Sequence, residues 1–385
     1  MDRRSLLRIA GGGAIAAALA PVAGCSSALP PQALAAWRGP GDEPDVRRWI
    51  LAHAILAPHS HNLQSWLVDL SVPDQITLRI DRERLLPQTD PLSRQMMMSQ
   101  GTFIELLDQA AREKGLRADI ALFPDGVFGP AAVDDRPIAR IRLIPDAGVR
   151  RDPLFAQVFL RRTNREAYAP QVPSAESQRA IGQASAGQGM RVGFVTSDEP
   201  ALIAQHRRIA LEAWRIELTT PRTLLESYRV LRIGPKEIAA HRDGISLNDP
   251  LVRALTQVGL FDRSVAPAPG DRTITRQIDD FGARLTATPA FYWLITEGND
   301  RITQVNAGRA WVRAQLAATA QGLSMQPISQ ALQEFPEVQA PYREIHDLLG
   351  APAPRHTVQM WARLGQGPAI GPAPRRGVDA HLRAA

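Results

Sequence analysis

The chain has 385 residues, 44% hydrophobic and 22% charged, enough to bury one large core or two smaller ones and too apolar for bulk disorder. A formal net charge of +6, with no basic run beyond arginine pairs, argues against a nucleic-acid partner. The one cysteine, Cys25, excludes an intramolecular disulfide.

The first 25 residues, "MDRRSLLRIAGGGAIAAALAPVAGC", read as an export signal. Arg3 and Arg4 precede a Gly/Ala-rich apolar core that is too short and too weakly apolar for a stable membrane span. The pair looks like a twin-arginine signal; a chance pair ahead of a general secretory signal would also give export. "VAGC", ending on Cys25, is similar to a bacterial lipobox, whose cysteine is acylated and becomes the first mature residue. The competing cut, after "ALA" at 33–35, would release a soluble periplasmic protein. The expected order is therefore a signal at 1–24, then a Pro/Ala-rich tether at 25–43.

Two halves follow, 44–150 and 151–385. "DVRRWILAHAIL" at 45–56 carries Val46, Trp49, Ile50 and His53 on one helical face, with His53 expected in the core. Strands are expected at 66–72, 76–80 and 138–144, and a helix at 101–116 closed by Gly115. Later strands are expected at 190–196, 290–296 and 356–364. A second helix at 308–323 matches the first: both pairs Gly101/Gly115 and Gly308/Gly322 bracket the same length, with Ala-Ala in register at 110–111 and 317–318. That match hints at duplication. Residues 200–285, Arg-rich and helical in period, read as a helical insertion.

Four segments could carry chemistry. "APHSHNLQSW" at 57–66 sets Ser60, Asn62 and Gln64 in alternation before Trp66; it either caps a helix end or lines a polar, planar ligand. "FLRRTNREAY" at 159–168 places Arg161, Arg162, Thr163 and Arg165 together, either a solvated helix end or a phosphate-monoester site. "GLSMQPISQ" at 322–330 is a loop with Ile328 and Ser329, either a connection or a backbone edge for a ligand ring. "GPAPRRGV" at 371–378 carries Arg375 and Arg376 and by itself looks like a basic tail. His59 and His61 have a metal-ligand spacing but no third ligand, so no metal is assigned.

Together these segments resemble the FMN-dependent nitroreductase superfamily, most closely its exported or duplicated branch related to the mycobacterial Acg proteins. Ser60, Asn62, Gln64 and Trp66 match the family's Pro-Ser-x-x-Asn-x-Gln-Pro-Trp segment, with Ser65 in place of the usual Pro. "RRTNR" looks like its Arg-Arg-Ser-x-Arg element; on that likeness Arg161 and Thr163 face the FMN phosphate and Arg165 the ring, with Arg162 also counted among the cofactor-binding residues. Arg375 and Arg376 would complete the phosphate site, and Ile328 and Ser329 would lie beside the ring, although Gln330 stands where many members have Gly. The two main elements come in inverted order in a chain of nearly double length. The resemblance therefore implies an α+β nitroreductase-like fold of two related halves, one chain acting as an intramolecular pseudo-dimer.

The function implied is an exported FMN oxidoreductase passing two electrons to a small-molecule acceptor such as a nitroaromatic or quinone. Reduced nicotinamide is not expected outside the cytoplasm, so the donor would be a membrane quinol or redox partner. Acylation of Cys25 would hold the protein at a membrane surface in the periplasm. The alternatives are a flavin-sequestering lipoprotein without turnover, its site closed by the insertion, and a lipoprotein binding another phosphorylated ligand.

Overall fold

A computed structural model describes residues 28–187 and 189–383; the arginine-pair signal and Cys25 lie outside the described residues. Residues 31–38 form a 3-10 helix. The first half then runs α1 (Val46–Ala54), β1 (Trp66–Asp69), β2 (Gln75–Ile80), α2 (Arg94–Glu113), β3 (Leu116–Leu122) and β4 (Ala139–Pro145). The second begins with α3 (Ala175–Ala184) and β5 (Met190–Thr196). A long excursion follows: α4 (Pro200–Thr219), α5 (Pro221–Arg229), β6 (Leu231–Ile233), α6 (Gly234–His241), β7 (Ile245–Leu247), α7 (Pro250–Gln257) and α8 (Arg272–Thr286). The half closes with β8 (Ala290–Glu297), α9 (Arg301–Ala320), β9 (Ser324–Pro327), α10 (Gln339–Leu348) and β10 (His356–Gly365). Among the described residues no helix is long and apolar enough to cross a membrane.

The halves share one topology. Each has a four-stranded antiparallel sheet, ordered β1-β2-β4-β3 in the first and β5-β8-β10-β9 in the second. Counted within each half, both orders are first, second, fourth, third. The long helices correspond at a constant offset of 207 residues (301 − 94, 308 − 101, 322 − 115), and both are 20 residues long. The α+β class and the two related halves expected from the sequence are what the chain has.

Gly101 and Gly308 explain how the halves join. A Cβ on Gly101 would sit 1.9 Å from the Val305 carbonyl oxygen, and one on Gly308 would sit 1.9 Å from that of Met98. Val305 and Met98 each lie three residues before the other helix's glycine, so the contact is reciprocal. Only a residue without a side chain lets the two backbones meet there. The arginines that open the helices repeat the exchange. Arg94, 1% exposed, donates to the carbonyls of Leu332 and Gln359 and pairs with Glu334 at 2.6 Å. Arg301, 2% exposed, donates to the carbonyls of Leu92, Gly129 and Pro130 in the other half.

The sheets differ in cover. In β3, Leu116, Ala118, Ile120 and Leu122 turn inward while Arg117, Asp119 and Ala121 face solvent, so sheet one is packed on one face. In β10 nearly every residue is buried, because α3 and α9 cover one face of sheet two and α4, α8 and α10 the other.

Several expected boundaries move. The helix of 101–116 starts at Arg94 and takes in Met96–Met98, and that of 308–323 starts at Arg301. Strands β3 and β9 were not expected: the short alternation of β3 directly follows the helix-ending Gly115, and β9 pairs with β10 inside the 322–330 segment read as a loop. Within 200–285, α4 and α8 belong to the second core, so the true excursion is about 221–271, and it carries a small parallel sheet, β6–β7. The division at 150 does not hold in space: Val158 is buried in the first core, joined there by Phe155 and Phe159. The C-terminus also crosses back, with Val378 and Leu382 against that core and the Arg383 N–H donating to the Val68 carbonyl at 2.8 Å. His53 is buried, its ring Nδ1 2.9 Å from the Trp49 carbonyl oxygen.

Candidate active site

The polar strip after α1 is a strained turn rather than a capped helix end. His61, Asn62 and Gln64 all have positive φ, 48°, 55° and 55°. Left-handed backbone at three of four successive residues costs energy and persists only where surrounding contacts hold it. Those contacts come from distant parts of the chain. Asn62 donates to the carbonyls of Pro374 at 3.1 Å and Gly244 at 3.3 Å, and its Oδ1 accepts from Arg375. Gln64 is fully buried; it donates to the Arg242 carbonyl at 3.0 Å and accepts from the Arg376 N–H at 2.9 Å.

Arg161 and Arg375 then converge on the end of α1. Arg161 donates to the Leu56 carbonyl at 3.1 Å and to Gln315 Oε1 at 3.4 Å. Arg375 donates to the Ala57 carbonyl at 3.0 Å. The two are 3% and 4% exposed. Among the described residues no carboxylate offsets them: burial first, then the charge of Arg162, holds the Arg161 pKa down at about 9, and burial, Arg161 and Arg162 do the same to Arg375. Arg161 Nε, Arg375 Nε, Arg376 Nε and Gln315 Nε2 are buried without a hydrogen-bond partner. Burying an unpaired cation costs about several kcal/mol, so this arrangement is built for an anion.

The remaining expected residues divide. Arg162 is half-buried and turned back onto the carbonyls of Phe159 and Arg161, both at 2.8 Å. Thr163 bridges to Met325, which lays the 161–165 segment along β9. Arg165 is exposed by area, although burial lowers its pKa and its charge helps to lower that of His61. Ser60 reaches Gln95 Oε1 at 3.3 Å and its N–H donates to Ser99 Oγ at 3.2 Å, both on α2.

Three expected lining residues are displaced. Trp66 is fully buried, donates to the Ser99 carbonyl at 3.2 Å and packs on Phe103 and His59; it is a wall behind the strip, not a lining. Gln64 has its side-chain atoms committed to Arg242, Asn62 and Arg376, so it braces the turn. Ile328 is buried in the second core, its N–H donating to the Trp361 carbonyl at 2.9 Å. Ser329 opens a short 3-10 turn, and among the described residues no hydrogen bond ties it to the strip or to the arginines.

His59 and His61 serve different ends. The Ser65 N–H donates to His59 Nε2 at 3.0 Å, which leaves His59 Nδ1 to donate to the Ser60 carbonyl at 2.8 Å. Burial lowers the His59 pKa to about 3 and the His61 pKa to about 4. Among the described residues no cluster of three or more His, Cys, Asp or Glu could hold a metal ion.

Sequence reasoning missed residues that complete the site. The 31–38 segment is docked, not a tether: Ala33 is fully buried, its carbonyl accepts from the Arg375 N–H at 2.9 Å, and Trp37 lies under the Arg162 guanidinium at 4.5 Å. An isolated Trp in a Pro/Ala-rich stretch was the available signal. Gln95, Ser99 and Gln315, on the two long helices, and Arg242 and Gly244, on the excursion, carry no motif of their own.

No family model matches the chain. Over 337 residues it is 27% identical to a candidate NAD(P)H nitroreductase of Mycobacterium tuberculosis, in both the H37Rv and CDC 1551 strains, spanning 86% of this chain and 88% of each relative. Among solved structures it is similar to an iodotyrosine deiodinase bound to FMN and 3-iodo-L-tyrosine, at 16% identity and a TM-score of 0.34, over 58% of this chain and 94% of that one. It is also similar to the FMN-dependent nitroreductase NfnB of Mycobacterium smegmatis in complex with NADPH, at 19% identity and a TM-score of 0.35, over 58% and 94%. Across most of its length, then, the chain is similar to proteins named as nitroreductases.

Proposed function

We propose that the chain binds FMN between its two halves and is a nitroreductase-like oxidoreductase. The observation that carries this is the pair Arg161 and Arg375, buried together with no carboxylate and with free donors. A phosphate monoester supplies the dianion that such a pair lacks. Ser60, Asn62 and the strained turn supply small hydrogen-bonding groups of the kind a flat, amphipathic ring requires.

FMN, when bound, supplies a two-electron carrier for a nitroaromatic or quinone acceptor. The protein's own contribution is placement and charge. Arg161 and Arg375 would hold the phosphate, with Arg162 and Thr163 alongside. Arg165, whose charge reaches His61, would be the cation available to stabilise negative charge on a reduced ring. His61, kept neutral by burial, adds no competing charge beside it.

We further read the protein as exported and anchored through acylated Cys25, with a membrane quinol or redox partner as electron donor. Removal of the first 24 residues leaves the described chain intact, whereas a cut after Ala35 would sever the docked 31–38 segment. Mass spectrometry of the mature protein tests this: a diacylated N-terminal Cys25 supports it, and a chain starting at Ala36 opposes it.

One observation favours a second reading, sequestration without turnover. The excursion is pinned onto the strip through the Gly244 and Arg242 carbonyls, and Ser227 Oγ lies 3.4 Å from His61 Nε2. Purified protein separates the two. Yellow protein that bleaches with a chemical reductant and recovers its colour when an acceptor is added supports the oxidoreductase; yellow protein that reductant does not bleach supports sequestration. A colourless preparation that takes up no added FMN removes both.

A further inference from the structure

The 3-10 helix at 31–38 begins with Pro31 and ends at Gly39, whose φ of 82° turns the chain away. The stretch 28–38 is fixed at three points. Asn248 on the excursion donates to the Ala28 carbonyl at 2.7 Å. Ala33, fully buried, accepts from the Arg375 N–H. Trp37 donates from its indole Nε1 to the Ala373 carbonyl at 2.8 Å, two residues before Arg375. Its ring lies 4.5 Å from the Arg162 guanidinium and 5.6 Å from that of Arg375. One indole thus faces two of the cations gathered around the proposed phosphate position. An aromatic face stabilises a guanidinium without neutralising it, so both arginines stay available to an anion.

We propose that residues 28–38 are a clasp over the anion subsite, with Trp37 as its fastening, and that a bound phosphate monoester leaves only when this segment lifts. This rests on the reading of Arg161 and Arg375 as the phosphate site. The clasp also joins elements that no strand pairing connects: the excursion at Asn248, the C-terminal segment at Ala373 and Arg375, and the 161–165 segment at Arg162. Loosening it removes packing from Arg162 and Arg375 together, without touching Arg161 or the strip.

The test uses the chain from Ser26 onward, as parent, Trp37→Ala and Trp37→Phe, each loaded with FMN. Release is followed by the rise of flavin fluorescence after dilution, beside the thermal midpoint of each protein. Trp37→Ala is expected to release FMN about tenfold faster, the scale of losing a partly buried cation–π contact, and Trp37→Phe to fall between it and the parent. Loading with FMN is also expected to slow tryptic cleavage after Arg38 in the parent and less so in Trp37→Ala. Release from Trp37→Ala at the parent rate, with its thermal midpoint unchanged, overturns the clasp and leaves the phosphate assignment standing. A parent that takes up neither FMN nor inorganic phosphate overturns both.

Discussion

Two arginine clusters sit at corresponding places in the two halves, and they are treated in opposite ways. At the proposed site Arg161 and Arg375 meet the carbonyls of Leu56 and Ala57 just after α1, and among the described residues no carboxylate pairs with them. In the other half Arg313 meets the Ala184 carbonyl that ends α3, but it also pairs with Glu105 at 2.7 Å and Asp152 at 2.6 Å, while Arg309 pairs with Glu105 and Asp108. The offset of 207 residues makes the contrast exact in sequence: α2 carries Asp108 where α9 carries Gln315, the neutral partner of Arg161. Duplicated architecture supplied two equivalent positions. The arginines of one position are paired with carboxylates, and those of the other are not.

The loops agree with the charges. Eleven residues, 55–65, link α1 to β1 and hold the strained strip, whereas five, 185–189, link α3 to β5. A cavity of about 300 Å³ lies beside Arg309 and Arg313, with Glu105, Met190 and Thr296 also in its lining.

The contrast can be broken most forcefully at the helix crossing that creates it. Gly101→Ala and Gly308→Ala each drive a methyl into carbonyl backbone, and each is expected to destabilise the chain by about 3 kcal/mol, the upper end of ordinary overpacking. Chemical denaturation checks this; a loss in one variant and none in the other would mean that the crossing is not reciprocal. Next comes Arg161→Ala, expected to weaken FMN retention by about 1.5–3 kcal/mol through loss of a charge-assisted contact. Equilibrium dialysis measures it, and Arg313→Ala is the control. That control should keep parental FMN affinity while losing about 1–3 kcal/mol of stability, because Glu105 and Asp152 lose a partner.

Gln315→Glu sharpens the comparison by copying the closed position into the open one. A carboxylate beside Arg161 should raise the thermal midpoint of the FMN-free chain and lower FMN affinity about tenfold, read by calorimetry of both forms. Improved affinity would mean that Arg161 does not face the phosphate.

The smallest effect is on pH. Burial holds His59 and His381 near pKa 3 and His61, His206 and His346 near 4, below the ordinary 6.5. Between those values the unfolded chain binds more protons than the folded one, so these five groups make stability fall as pH drops through 6.5. Asp90 and Glu217, both pushed up to about 7 chiefly by burial, act the other way: the folded chain keeps their protons, and that stabilisation is lost as pH rises through 7. With five imidazoles against two carboxyls, the thermal midpoint should be lower at pH 5 than at pH 7.

Periodicity carried most of the fold into view from sequence. Three strands of sheet two, β5, β8 and β10, were legible as apolar runs, whereas β9 was read as part of a loop; the duplication was legible because glycines bracket both long helices. What stayed hidden was tertiary. The alternation of β3 lies directly behind a helix-ending glycine, and the starts of α2 and α9 depend on Arg94 and Arg301, residues whose burial no local pattern announces. At the site, Ser60, Asn62, Arg161 and Arg375 were legible as polar clusters, and the chain does gather them. Trp66 and Ile328 misled because a polar neighbourhood does not say which way an apolar side chain turns. Trp37 was passed over because Pro and Ala around it suggested a tether, while its value comes from two arginines more than a hundred residues away.

The decisive measurement is the stoichiometry of FMN bound by the chain from Ser26 onward, titrated by calorimetry in the parent, in Arg161→Ala/Arg375→Ala and in Arg309→Ala/Arg313→Ala. One FMN per chain, lost in the first double variant and kept in the second, is what two like halves with a single unpaired arginine cluster require. Two FMN per chain, none at all, or loss only in the second double variant would contradict it.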